Sequence, residues 1–264
     1  MPSVAAGIAT GCAELRPRHS AAMTRRFPRR NPLIMSEKPI RVYLAGELFS
    51  AKHLLGNAVL GQALWDCSEG RYVALVPQDL EQRETTAHAI RDQDIRALMS
   101  CDVGIFQYDG PELDSGTVVE FLFAKFADIP SVLLRTDFRN AGDQIKGGDP
   151  WNLMTSFFPR TRTVVLNAME LYHEGLNRTD DPTPEAISTD KRGIDATMVM
   201  IDRVARECIA ALEEARADAP VLSRALAGPV YEWLANLPGF KVGADVMHIE
   251  FAQALVDKQA KGLL

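Results

Sequence analysis

The sequence predicts an α/β fold built on a five-stranded parallel sheet, and three observations carry that reading. Between Ile40 and about Val165, short β-rich runs alternate with longer helical stretches, the signature of a parallel sheet covered by helices on both faces. Val103 to Phe106 read as a buried strand, broken by Gly110 and Pro111 before Ser115-Gly116-Thr117 opens a helix running to about Ala127. The chain has 264 residues, 47% hydrophobic and 24% charged, enough to bury a substantial core.

Five strands are expected, in order: Arg41 to Gly46, Tyr72 to Val76, Val103 to Phe106, Ser131 to Leu134, and Thr163 to Leu166. Helices are expected near 50–66, 84–100, 116–127 and 150–157. Right-handed crossovers between such strands give a doubly wound, flavodoxin-like (Rossmann-like) sheet. Gly147-Gly-Asp-Pro150 and the stretch from Asn177 to Pro184 are loop compositions, and the second separates the sheet domain from the C-terminal part of the chain. From about 187 onward the chain reads as helical. Ile194, Met198, Ile201, Val204, Ala205, Cys208, Ile209 and Leu212 fall at three- and four-residue steps and form one apolar stripe that packs on the sheet domain or on a sister subunit. Two shorter helices, near 219–235 and 243–260, complete a C-terminal α-helical extension. The expected division is a leader (1–36), a catalytic domain (37–180) and the helical extension (181–264).

Within the first 35 residues, Arg16, Arg18, Arg25, Arg26, Arg29 and Arg30 stand against one acid, Glu14. Such a segment reads as an Arg-rich organelle transit peptide, as a disordered leader, or as sequence ahead of a start at Met35. The net charge is −6 for the whole chain, and the remainder after residue 35 carries 23 basic against 34 acidic residues, a net of −11. An acidic body argues against nucleic-acid polymers and anionic membranes as partners. Cys12, Cys67, Cys101 and Cys208 are scattered, without a CxxC pair, and read as reduced thiols of a cytoplasmic protein. The five histidines show no HxxxH spacing, so no zinc site is expected. No run approaches the roughly 18 apolar residues of a membrane span.

The chemistry concentrates in Asp114-Ser-Gly116-Thr117-Val-Val-Glu120, at a strand-to-helix junction where open α/β sheets bind ligands. Taken singly, its residues have bland readings. Thr117-x-x-Glu120 matches a capping box, and Asp114 is an ordinary turn residue. Other strand ends add polar groups: Tyr43 to Gly46 followed by Phe49, Val76-Pro-Gln78, Asp94 on the helix before the third strand, and Asp102 immediately before that strand. A set of Tyr, Gln and carboxylates without a cationic cradle suits a neutral polar ligand such as a nucleoside.

These residues resemble the nucleoside 2-deoxyribosyltransferase family over roughly residues 40 to 170. The resemblance is carried by Tyr43-Leu-Ala-Gly46 with Phe49, by Asp94 and Asp102, by Asp114-x-Gly116-x-x-x-Glu120, and by Asp149-Pro-Trp-Asn152-Leu-Met154. It implies Glu120 as nucleophile and Tyr43 as its hydrogen-bonding orienter, with Asp94 and Asp114 binding and protonating the nucleobase. Gly46, Phe49 and Gln78 are read as substrate-binding. Asn152 and Met154 look like a pair supplied by a neighbouring subunit, which makes the protein a homo-oligomer. Implied partners are deoxynucleosides and free nucleobases, with no metal or organic cofactor. After Glu120, Phe121-Leu-Phe123 replaces the family's small or glycine-rich context.

Chemistry supports those roles independently. Cleaving an N-glycosidic bond develops positive charge on the sugar, so a carboxylate can stabilise it and collapse onto C1′ as an ester. The leaving base needs a proton, which a carboxyl of suitable pKa delivers. Two other readings stay open. One is an N-glycoside hydrolase of the same superfamily, disfavoured for phosphorylated substrates by Glu47 after the first strand. The other is a non-catalytic nucleoside-sensing module, which would tolerate loss of Glu120. His53, His88 and His173 read as surface histidines, Trp65, Trp151 and Trp233 as packing residues with Trp151 also a candidate pocket wall, and Cys101 as a small buried hydrophobe.

Overall fold

The computed structural model describes residues 38–80, 86–139, 149–177 and 192–264, so the expected leader and most of the loop ending at Pro184 lie outside the described residues. Residues 38–264 form one compact unit. Five parallel strands, β1 (Ile40–Ala45), β2 (Tyr72–Leu75), β3 (Val103–Gln107), β4 (Ser131–Arg135) and β5 (Thr161–Val165), lie in the order β2-β1-β3-β4-β5. This is the flavodoxin-like order, and it reverses direction between β1 and β3, where a doubly wound sheet leaves its ligand crevice.

Alternation along each strand splits the core into two layers. Tyr43, Ala45, Phe106 and Leu133 face one side, while Val42, Leu44, Ile105, Val132 and Leu134 face the other. The first layer is closed by α2 (Ala87–Ser100) and α3 (Ser115–Phe126), joined by Tyr231 of α6 (Arg224–Asn236) and Phe251 of α7 (Ala244–Ala260). The second is closed by α1 (Ala51–Cys67) and α5 (Arg192–Ala217). Register therefore decides which helices Tyr43 can meet: a slip of one residue would turn it toward α1 and α5.

The apolar stripe of α5 buries Val204, Ala205, Cys208 and Leu212 against the sheet and leaves Ile194 exposed. At the far end, the Tyr231 hydroxyl donates to the Ala127 carbonyl, and Asp128 accepts from the amides of Val221 and Leu222. Arg160 pairs with Asp128 at 3.1 Å and also donates to the Leu263 carbonyl. These bonds tie the C-terminal helices to the edge of the sheet opposite the crevice.

Two elements differ from the sequence expectation. The helix expected over 150–157 is only a 3-10 turn, Leu153–Thr155, because Asn152 caps it and the chain turns at Phe157 with φ of 65°. An unexpected helix, α4 (Ala168–Asn177), comes after β5. Its start was legible in Asn167-Ala-Met-Glu170: the Asn167 side-chain oxygen accepts from the amides of Met169 and Glu170 while its Nδ2 donates to the Glu170 carboxylate. Gly175 lets α4 approach α5, since a Cβ there would meet the Ala196 backbone at 2.7 Å.

Candidate active site

β1 ends the crevice on one side and α3 on the other, and the two meet in a single bond. The Tyr43 hydroxyl donates to Oε1 of Glu120 at 2.6 Å. Tyr43 is fully buried and cannot swing away, so it fixes one carboxylate oxygen and leaves Oε2 available for chemistry. The ordinary pKa of Tyr43 is pushed well up, first by burial and then by the neighbouring Glu120 charge, so it stays a donor.

Glu120 itself is pushed up to about 7. Burial is the main cause; the Tyr43 hydrogen bond opposes it, and the charges of Asp94 and Asp114 add to it. Asp94, on α2, is raised to about 6 by burial. The structure thus brings Tyr43, Glu120, Asp94 and Asp114 close enough for their charges to act on one another. Carboxyls that exchange protons near neutrality are what glycosidic cleavage uses.

Asp114 has a second occupation. Its Oδ2 accepts from the Thr117 amide and hydroxyl, both at 2.8 Å, and makes Asp114 the N-cap of α3. This corrects the capping-box reading of Thr117-x-x-Glu120: Thr117 lies inside the first turn, buried, and Glu120 is free of capping and turned toward Tyr43. Asp102 is also corrected. It precedes β3, so it sits at the opposite end of the sheet, where it accepts from the Arg41 amide and from Lys261 at 2.6 Å.

The remaining predicted residues are placed less directly. Gly46 follows β1 and lies against Gln107, and a side chain there would collide with the Gln107 amide. Phe49 stands 76% exposed in the β1–α1 loop. The Gln78 amide is engaged with α1 at both ends, donating to the Leu54 carbonyl and accepting from Asn57, so it braces the loop. Asn152 and Met154 are exposed in the 3-10 turn; Asn152 Oδ1 accepts from the Met154 amide and makes no described hydrogen bond to Glu120. Trp151 is a core residue, edge-on to Tyr108 at 5.5 Å. Phe121 likewise fills the core between Phe106, Tyr108 and Phe158, so the bulky residues after Glu120 anchor α3 from behind. Cys101 is buried and its thiol is pushed up to about 12 by desolvation, as a packing residue would be.

Sequence reasoning missed the staple under the β3–α3 loop. Arg135, fully buried at the end of β4, donates to the carbonyls of Tyr108, Gly110 and Arg139. Asp109 answers by accepting from the amides of Thr136 and Asp137. The available signal was an arginine closing the apolar run Val132-Leu-Leu, where a buried charge needs several partners.

Residues 42–154 match the family model described as nucleoside 2-deoxyribosyltransferase. Among solved structures, the chain is similar to a 2-desoxiribosyltransferase from Leishmania mexicana at 26% identity, over 50% of this chain and 93% of that one, with a TM-score of 0.39. It is also similar to a conserved protein from Enterococcus faecalis V583 at 17% identity, over 67% of this chain and 99% of that one, with a TM-score of 0.38. No curated protein matches the chain. Residues 42–154, the stretch that matches the nucleoside 2-deoxyribosyltransferase model, hold Tyr43, Asp94, Asp114, Glu120, Asn152 and Met154.

Proposed function

We propose that the protein exchanges nucleobases on 2′-deoxyribonucleosides through a covalent 2-deoxyribosyl ester on Glu120. The observation that carries this reading is the Tyr43–Glu120 hydrogen bond inside a cluster of carboxyls at the crevice between β1 and β3. In the first step, Oε2 of Glu120 attacks C1′ from the face opposite the base. The C1′–N bond breaks, and its electron pair leaves with the base, which takes a proton from a carboxyl. Asp94 is the acid on this reading: burial raises it into the range of Glu120, so the two share protons near neutrality, and the reactive form is the one with Glu120 ionised and the proton on Asp94. Asp114, held by Thr117 through Oδ2, orients the base. In the second step a ring nitrogen of the incoming base attacks C1′, the ester oxygen leaves, and the proton of that nitrogen returns to the carboxyl. Two inversions give retained configuration.

The same reading assigns Asn152 and Met154 to the crevice of a neighbouring subunit. Both are solvent-exposed within their own chain, Met154 at 73%, beside the exposed Leu153 and Phe157. Such a group is suited to insertion into a partner. Substrates are unphosphorylated on this reading, since the exposed Glu47 after β1 repels a 5′-phosphate.

The test is incubation of the protein with 2′-deoxyinosine and adenine, with Glu120→Ala alongside. Formation of 2′-deoxyadenosine that is lost in the variant supports exchange. Free hypoxanthine alone identifies a hydrolase, and turnover that survives in Glu120→Ala overturns the mechanism.

A further inference from the structure

Helices α6 and α7 lie outside residues 42–154, yet they and the turn between them bond along the length of α2, the helix that carries Asp94. Near the start of α2, the Gly239 carbonyl lies 2.9 Å from His88 Nε2 and accepts from Arg91 at 3.1 Å. Gly239 has φ of 61°, a conformation that other residues rarely adopt, where the chain turns from α6 toward α7. One turn along α2, the buried Asp92 carboxylate accepts from the Lys241 amide at 2.8 Å. A turn further, Arg96 donates through Nε and Nη2 to the two carboxylate oxygens of Glu250, at 2.8 and 2.6 Å. Near the end of the helix, the buried Lys258 of α7 donates to the Met99 carbonyl.

His88, Asp92 and Arg96 recur at four-residue steps with Met99 three further on, so they share one side of α2. Asp94 is two residues from both Asp92 and Arg96, which at about 3.6 residues per turn puts it on the opposite side. From there its charge acts on Tyr43 of β1 and Glu120 of α3. Ile95 and Leu98 press α2 onto the core, but apolar contact has no direction, whereas hydrogen bonds weaken steeply away from linear geometry. The bonds to the C-terminal helices therefore set the roll of α2 about its axis, and that roll decides whether Asp94 points into the crevice.

We infer that the α6–α7 hairpin is a brace for the crevice, in which Arg96, Glu250 and Lys258 are positioning residues that act through α2 on Asp94. The part that Asp94 plays in catalysis rests on base exchange as proposed above; the way it is held does not.

The test is a pH titration of the full chain labelled with ¹³C at the aspartate carboxyls, the Asp94 resonance being assigned by its loss in Asp94→Asn. Burial holds the Asp94 carboxyl up at about 6, so a loosened α2 that admits water brings its midpoint down toward the ordinary carboxylate range. Arg96→Ala combined with Glu250→Ala removes one tie without changing the net charge, and a lower Asp94 midpoint is expected. Lys258→Met removes another tie together with a positive charge. Loss of that charge alone would raise the midpoint, so a lower one marks lost positioning. Midpoints unmoved in both variants, or a rise in Lys258→Met, overturn the inference. Lower midpoints in a protein that shows no base exchange would count against the proposed reaction and leave the brace standing.

Discussion

Tyr43 and Glu120, 77 positions apart in sequence, share a 2.6 Å hydrogen bond, and nearly everything the crevice can do depends on how that pair is held. Tyr43 points toward α3 because β1 alternates, and Glu120 points toward β1 because Asp114, not Thr117, starts the helix. The bond lowers the pKa of Glu120, while burial and the charges of Asp94 and Asp114 raise it.

Opposite shifts in the pH profile are therefore expected from two substitutions. Tyr43→Phe removes the interaction that favours the Glu120 carboxylate and moves the acid limb of kcat/KM to higher pH. Asp94→Asn removes a like charge and moves that limb of its residual activity to lower pH, while loss of the proton donor lowers the rate itself. Loss of a hydrogen bond to a charged group, worth about 1.5–3 kcal/mol, lowers kcat/KM in Tyr43→Phe by about tenfold or more at neutral pH. Profiles for the two variants and the unmodified protein check both directions.

Asp114 is expected to separate its two occupations. Asp114→Ala loses the cap of α3 and about 0.5–2 kcal/mol of stability, whereas Asp114→Asn keeps an accepting oxygen and most of that stability. If the carboxyl also serves the base, both variants lose activity while only the alanine lowers the thermal midpoint. Thermal melts beside base-exchange rates make the comparison.

Stability is expected to fall as pH rises through the crevice's titration range. Glu120 is raised in the folded protein from 4.5 to about 7, so folding favours its protonated form. That contribution is complete below about pH 4.5, declines as pH rises, and is gone above about 7. Glu120→Gln removes the penalty of burying the charge and is expected to stabilise the protein at pH 8 by about 1–3 kcal/mol, with little gain at pH 4. Denaturant titrations at the two pH values check the difference.

Gly46→Ala is expected to destabilise by about 1–3 kcal/mol, because the added methyl collides with a Gln107 amide that is tied to Ala45 and Asn57. Chemical denaturation reads the loss.

How far the molecule could be read from its sequence depended on the reach of each signal. The five strands and the doubly wound class of the sheet came from apolar runs and crossover handedness, both of which are local or general, while the order β2-β1-β3-β4-β5 came from the structure. Tyr43, Asp94, Asp114 and Glu120 were legible as residues at strand ends and on the helices beside them. Their capping roles were not, because Thr117-x-x-Glu120 and Asp114-x-x-Thr117 are both plausible starts, and only the fold decides that Asp114 caps. Arg135 showed in the sequence only as an arginine closing the run Val132-Leu-Leu; that it binds the carbonyls of Tyr108 and Gly110 in the β3–α3 loop and of Arg139 four residues on is decided by the fold. The segment 150–157 was read as helical from composition, while the buried Trp151 and the Asn152 cap hold it to a single turn.

The most direct test of the account is rapid quenching of the protein with 2′-deoxyinosine in the absence of an acceptor base, with mass spectrometry of its peptides. The account predicts a deoxyribosyl adduct on the peptide containing Glu120, discharged by added adenine and absent in Glu120→Gln. Turnover without such an adduct, or an adduct on another residue, would contradict it.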